Sequence, residues 1–356
     1  MSERPLSETL RASLVSARRW ETGLALLAVI IAIAGAAVSS SFFTSNNFFN
    51  LGLSNGEIAI MTLPMTLIVI SGEIDLSVAS ILGMSSALLG FLWARHWPML
   101  AIFALIAVVG LAAGAVNGLL VTRLGLPSLA VTIGTLALYR GVATILLGPS
   151  TVANFPETYT NLGVNAVPFT GNDLTYSAAI FIVLAIFFGV ILHSTPFGRS
   201  VFAMGASVEA AQFAGIRVKR IKTILFMTSG LVCALAGVLL TFRLNTAVQN
   251  NGLGLELDVV AIVLLGGVSI FGGKGSLIGV VLAVLVFAGI QNALFLTNFN
   301  QEAAGIVTGA LLLLSVFGRN AASFSGRLRA RLPAGRRGRG PQGPAGSPAP
   351  AAATPP

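Results

Sequence analysis

The chain has 356 residues, of which 55% are hydrophobic and 9% charged, with a mean hydropathy of +0.89. Soluble domains average about 25% charged residues, so water is not its principal solvent and a soluble globular class is excluded. The formal charge of +9 resides in short tails and loops between apolar runs rather than on one soluble face, so nucleic acid is not expected as a partner. One cysteine, Cys233, and two histidines, His96 and His193, leave too few ligands for a disulfide framework or a metal centre. No cofactor is expected.

Taken in chain order, Arg18 and Arg19 precede an apolar run beginning near Gly23. The run is too long for a signal peptide and no cleavage site is evident in SSSFFTSNN, so it reads as a retained first helix. Further apolar stretches near the ~20 residues needed to cross a bilayer follow. Candidate spans lie near 22–42, 51–71, 76–94, 98–121 and 127–147. After a polar stretch at 148–173, rich in Pro, Gly, Asn and Thr, they resume near 174–193, 223–242, 257–271, 276–296 and 303–317. The expectation is an all-α integral membrane protein of about ten transmembrane helices, the short eighth being broken or re-entrant. Residues 1–21 form a cytoplasmic N-terminal tail, 22–318 the membrane domain, and 319–356 a basic cytoplasmic tail whose Pro, Gly and Ala content predicts disorder.

The distribution of basic residues sets the orientation. With both tails in the cytoplasm, Arg123, Arg199, Arg217, Lys219, Arg220, Lys222 and Lys274 fall inside, together with the seven tail arginines. Only Arg95 and Arg243 fall outside, and Arg140 lies within a span. The 148–173 loop carries Glu157 and Asp173 but no Lys or Arg, as an outer loop should.

Several polar and small residues within these spans carry specific expectations. Gly110, Gly114 and Gly118 form a GxxxGxxxG stripe, and Gly305 and Gly309 repeat its spacing, so close helix packing is predicted at both. Arg140, inside the fifth span, must find a partner or water; snorkelling or pairing with helix-end carbonyls competes with contact to a solute. In GEIDLS, at the break after the second span, Asp75 or Ser77 is read as the N-cap of the following helix, and Glu73 as an exposed or lumen-facing carboxylate. Glu73, Asp75, Asn117 and Arg140 are the candidates for a translocation path or gate. The 193–223 loop holds a small-residue helix from about Ser207 to Ala214, ended by Gly215. The nearest sequence to a Walker A loop, GGVSIFGGKGS, has Gly and Lys in the wrong order, and GxSxG, HExxH and CxxC are missing, so this chain is not read as an enzyme.

GEIDLSVAS, GAVNGLLVTRLGLPSLAVTIGTLALYRG and GRSVFAMGASVEAAQFAGI, in that order, resemble the permeases of ribose-type ABC importers, and the similarity runs from about residue 20 to 318. Three departures are visible: Glu73 replaces the second glycine of GGIDLS, Ser207 stands where Asn is common, and Ala214 replaces a usual Ser. The resemblance implies a bacterial inner-membrane permease subunit that guides a monosaccharide or sugar-like solute. It implies a second permease chain, giving a homo- or heterodimer, together with cytoplasmic ABC ATPase subunits and a periplasmic solute-binding protein. Ala206, Ser207, Glu209, Ala210, Ala211 and Gly215 then belong to the ATPase-coupling loop. The alternative is a secondary active transporter, against which the scarcity of carboxylates in spans outside GEIDLS argues.

Overall fold

In a computed structural model, the described residues are 6–168, 170, 174–297, 305–311 and 313, with side chains described from Trp20 onward. The basic tail, part of the tenth expected span and Asp173 lie outside them. The helices are α1 (Leu6–Val38), α2 (Ser45–Ile70), α3 (Val78–Trp93), α4 (Met99–Arg123), α5 (Ser128–Leu147), α6 (Glu157–Val164), α7 (Tyr176–Ser194), α8 (Pro196–Ala206), α9 (Val208–Phe213), α10 (Val218–Leu244), α11 (Leu255–Leu265) and α12 (Leu277–Leu296). Two short antiparallel strands, β1 (Val152–Ala153) and β2 (Thr246–Ala247), pair Val152 with Ala247.

Among the described residues seven helices are long and apolar enough to cross a membrane: α2, α4, α5, α7, α10, α12 and the Trp20–Val38 part of α1. The chain is a helical, multi-pass membrane protein. Of the ten expected spans, the third is a helix of 16 residues and the eighth one of only 11. The tenth is helical at 305–311 and 313, its remainder lying outside the described residues. The eighth was expected at 257–271, but α11 stops at Leu265 because Gly267, Gly272 and Gly273 take positive φ values of 86°, 78° and 70° that a helix cannot hold.

The bundle has a buried centre and a lipid-type rim. On α2 every residue from Gly56 to Ile70 is buried, and α10 is buried along most of its length from Leu225 to Phe242. Helices hydrophobic and buried on all sides belong to the interior of a membrane bundle. By contrast α4, α5 and α7 expose Val108, Ile145, Val183 and Ile186, which costs nothing in hydrocarbon. The glycine stripe docks α4 onto α10: a Cβ at Gly114 would sit 2.1 Å from the Phe226 carbonyl oxygen, and one at Gly110 would sit 2.7 Å from that of Gly230. Gly305 and Gly309, in contrast, have nothing within 4 Å among the described residues, so the second stripe packs closely against none of them.

The loops hold more order than the sequence suggests. The polar 148–168 stretch contains β1 and α6, and Tyr159 and Phe155 lie 5.8 and 6.1 Å from the Phe242 ring. The 193–223 loop holds two helices rather than one. Thr195 caps α8 by accepting from the Gly198 amide, with Pro196 in the first turn. Ser207 caps α9 by accepting from the Ala210 amide. Gly215, at φ 80°, ends it, with the Gly215 and Ile216 amides donating back to Gln212 and Ala211.

Candidate functional site

Two interruptions meet the short helix α3. Below it, α2 ends at Ile70 and residues 71–77 turn through Gly72, at φ 85°, before α3 begins. Above it, residues 245–254 leave α10 through Asn245 in a left-handed conformation and return to start α11. Non-helical backbone at membrane depth survives only where its polar groups find protein partners, and both interruptions satisfy this with side chains.

The lower interruption encloses Asp75, which is fully buried. Its Oδ1 accepts from the Ser77 amide at 3.0 Å and the Ser77 hydroxyl at 2.6 Å, and its Oδ2 accepts from the Ser229 hydroxyl at 3.2 Å. Asn117 Nδ2 donates to Ser77 Oγ at 2.7 Å, and the Tyr139 hydroxyl reaches Asn117 Oδ1 at 3.4 Å and the Ala113 carbonyl at 2.9 Å. No cation is among the hydrogen-bond partners of the carboxylate; it is held by neutral donors alone, the arrangement that makes a buried acid tolerable. The capping expectation needs correction: Ser77 is the N-cap of α3 and its side chain makes no capping bond. Asp75 instead binds the Ser77 amide in a local turn and ties α3 to α4 and α10.

Glu73 is neither exposed nor free. Its carboxylate pairs with Lys222 in the first turns of α10, and the two side chains are 13% and 12% exposed. Immediately beside this turn, the end of α8 and the 269–275 loop close on Ile70. The Gly273 amide donates to the Ile70 carbonyl at 2.8 Å, and a Cβ at Gly205 would sit 1.9 Å from the same oxygen. Of the expected coupling-loop residues, Ala206, Glu209, Ala210 and Gly215 are exposed, whereas Ala211 is buried against the chain itself and Ser207 is half-buried as a cap. Phe213, 94% exposed at the end of α9, was not singled out from the sequence, although an aromatic flanking a small-residue helix is a visible signal.

The upper interruption takes Arg140 away from the Asp75 cluster. The guanidinium donates to the carbonyls of Asn251, Gln249 and Ala79 at 2.8, 3.3 and 3.3 Å, so of the two expectations for this residue the structure displays pairing with backbone carbonyls. Asn251 continues the tie, donating to Ser86 Oγ at 2.8 Å, which also receives the Thr241 hydroxyl at 2.7 Å. Nearby, Arg243 Nε donates to Glu57 Oε1 at 2.9 Å, the Glu57 side chain being 1% exposed. The sequence reading missed this pair. Glu57 was legible by the same rule that flagged Arg140, as one charge inside an apolar run. Glu57 is thus a further buried carboxylate in a span outside GEIDLS.

Comparison with known proteins matches residues 47–316 to the family described as "Branched-chain amino acid transport system / permease component". The ribose import permease protein of Escherichia coli (strain K12) is 33% identical over 313 residues, covering 85% of this chain and 96% of that protein. The ribose import permease protein of Bacillus subtilis (strain 168) is 34% identical over 296 residues, 83% of this chain and 89% of that protein. The autoinducer 2 import system permease protein of Klebsiella pneumoniae is 30% identical over 317 residues, 85% and 91% respectively. No solved structure matches the chain.

Proposed function

This chain belongs to the permease-component family matched over residues 47–316, and from that premise we propose that it is the membrane-spanning subunit of an ABC importer for a monosaccharide or sugar-like solute in a bacterial inner membrane. The observation that carries the reading is near full-length identity of about a third to import permeases for ribose, with a further relative serving autoinducer 2. The family description names branched-chain amino acids; it is these relatives, aligned along 83–85% of the chain, that bear on the solute. Energy comes from separate cytoplasmic ATPase subunits, solute from a periplasmic binding protein, and two permease chains form the path.

Ten spans with both ends cytoplasmic best accommodate the basic residues. The end of α8 and the 269–275 loop then share the inner side with residues 70–77, which they touch at Ile70 and Gly72. Glu209, Ala210 and exposed Phe213 form the surface offered to the ATPase, and motion there is passed to the Glu73–Asp75 turn through that glycine-packed contact. A bistable element moved from one side needs such a direct mechanical connection.

The test is uptake of labelled D-ribose and related monosaccharides by cells and proteoliposomes holding permease, ATPase and binding protein. Uptake should require ATP and all three parts, and Phe213→Ala should weaken ATPase pull-down without lowering permease expression. Accumulation driven by an ion gradient with no ATPase would replace this reading by secondary active transport. In a Cys233→Ala background, cysteines at Asn161 and Ala206 should label from opposite sides of the membrane; labelling of both from one side would overturn the topology.

A further inference from the structure

Between α11 and α12 the chain makes a tight turn whose tip is apolar and exposed. The Gly272 amide donates to the Ser269 carbonyl at 2.9 Å, and the Ser269 amide donates to the Lys274 carbonyl at 2.8 Å. Ile270 and Phe271 occupy the two central positions of this β-turn, and they are 39% and 83% exposed. The base of the turn is clamped. The Gly273 amide donates to the Ile70 carbonyl at 2.8 Å, and a Cβ at Gly272 would sit 2.9 Å from the Gly72 backbone. Upstream, Trp20 Nε1 donates to the Leu265 carbonyl at 2.9 Å, and a Cβ at Gly267 would lie 2.6 Å from the Trp20 ring.

Exposed apolar residues on α4, α5 and α7 face lipid, but the setting of Phe271 is different. Its turn rests on the end of α2, where every residue from Gly56 to Ile70 is buried, so the centre of the bundle lies beneath it and not the rim. Beyond the end of a central helix the medium is water. Exposed Lys274 in the same turn puts that water on the cytoplasmic side. A phenyl ring held out in water on a fixed base forgoes the burial from which it gains most, and apolar groups exposed in this way mark contact surfaces.

The position of the turn identifies the partner. A Cβ at Gly273 would lie 2.9 Å from the backbone of Ala206, the last residue of α8. From there α9, six residues long and about 9 Å at 1.5 Å per residue, leads to Phe213, itself 94% exposed. The turn is therefore continuous with the surface offered to the ATPase, although the whole of α10 stands between them in sequence. We propose that the Ser269–Lys274 turn is a second docking element for the ATPase subunit, Phe271 and Phe213 being two aromatic anchors seated in the same partner. The inference rests on the importer reading above and adds a contact which that reading does not contain. Aromatic anchors on a preorganised base carry much of the binding energy at interfaces, and two of them fix the partner in one orientation. Through this turn the ATPase reaches Ile70 of α2 directly, without passing through α8.

The experiment uses the full-length permease in lipid nanodiscs with its purified ATPase subunit. Phe271→Ala should weaken ATPase binding by about tenfold, and Phe271→Leu, which keeps an apolar tip, by less. Because the side chain is exposed, both variants should express and melt as the wild type does. In a Cys233→Ala background, Phe271→Cys should react readily with a membrane-impermeant maleimide in the permease alone. Added ATPase should slow that reaction by about tenfold or more and leave Asn161→Cys in the outer loop unchanged. The proposal is overturned if Phe271→Ala binds the ATPase as tightly as the wild type, or if the ATPase leaves labelling of Phe271→Cys unchanged. Slow labelling in the permease alone also overturns it; reaction with a lipid-soluble maleimide would then identify lipid as the occupant, and a disulfide between two permease chains a second copy. Weakened binding by Phe213→Ala with none by Phe271→Ala would remove this turn and leave the importer reading standing. If the wild-type permease binds no ATPase at all, the importer reading falls and takes this inference with it.

Discussion

The two ion pairs that join the α2 side of the bundle to α10 sit at opposite ends of α10 and differ in their surroundings. Glu57–Arg243 holds the upper end with the carboxylate 1% and the arginine side chain 20% exposed, whereas Glu73–Lys222 holds the lower end with both side chains at 12–13%. Parting the upper pair strands a carboxylate in protein, which is strongly unfavourable, whereas both charges of the lower pair keep a narrow edge toward solvent. The lower pair is also the one beside the α8–α9 loop and the Gly205–Ile70–Gly273 contact. The two ends of α10 are therefore held differently, the upper through one wholly buried carboxylate and the lower through a pair in which both charges keep an edge of solvent.

The sharpest way to break this comparison is Arg243→Ala. It leaves Glu57 buried and unpaired, and should cost about 3–5 kcal/mol, read as a large drop in thermal unfolding temperature in detergent. A wild-type melting curve would mean that the pair does not anchor the upper end.

Asp75→Ala should come next. It removes the acceptor of the Ser77 amide and hydroxyl and of the Ser229 hydroxyl, stranding buried donors at about 1–3 kcal/mol. Asp75→Asn keeps an acceptor and should lose less. The ordering of the two variants in the same melting assay is the test: if Asn is as damaging as Ala, the negative charge itself matters and the neutral-donor account is wrong.

The smallest effect on stability is expected for Lys222→Ala, because Glu73 keeps an edge of solvent where Glu57 has almost none. Its larger consequence should be on coupling, because the Glu73 turn is no longer held to α10: in the assembled importer, ATP hydrolysis should rise relative to solute moved. A melting shift equal to that of Arg243→Ala would erase the distinction between the two ends.

How much of this was legible depended on how local the signal was. The α4 stripe was readable because glycines spaced by four residues lie on one helix face whatever that face meets. Its counterpart at Gly305 and Gly309 has the same spacing and meets nothing within 4 Å among the described residues, since spacing says that a face is smooth and not what lies against it. Gly215 was readable as a helix end because a left-handed residue is a local demand. Glu73 was read as exposed or lumen-facing, and its pairing with Lys222 was not legible because Lys222 is 149 residues away in sequence; the pairing of Arg243 with Glu57, 186 residues distant, was hidden for the same reason.

By itself the sequence determined that the chain is a multi-pass helical membrane protein, where most of its long helices run, where α9 ends, and which charges stand in apolar stretches. These follow from hydropathy, glycine and capping residues, which act over a few neighbours through backbone and solvent. Only the tertiary structure decided that Asp75 is held by Ser77 and Ser229, with Asn117 bound to Ser77, that Arg140 serves the 249–251 carbonyls, and that Glu57 pairs with Arg243. The physical reason is that a polar group in a bilayer must find its partner within the protein, and which partner comes within about 3 Å is settled by how distant helices pack, a quantity that no local pattern encodes.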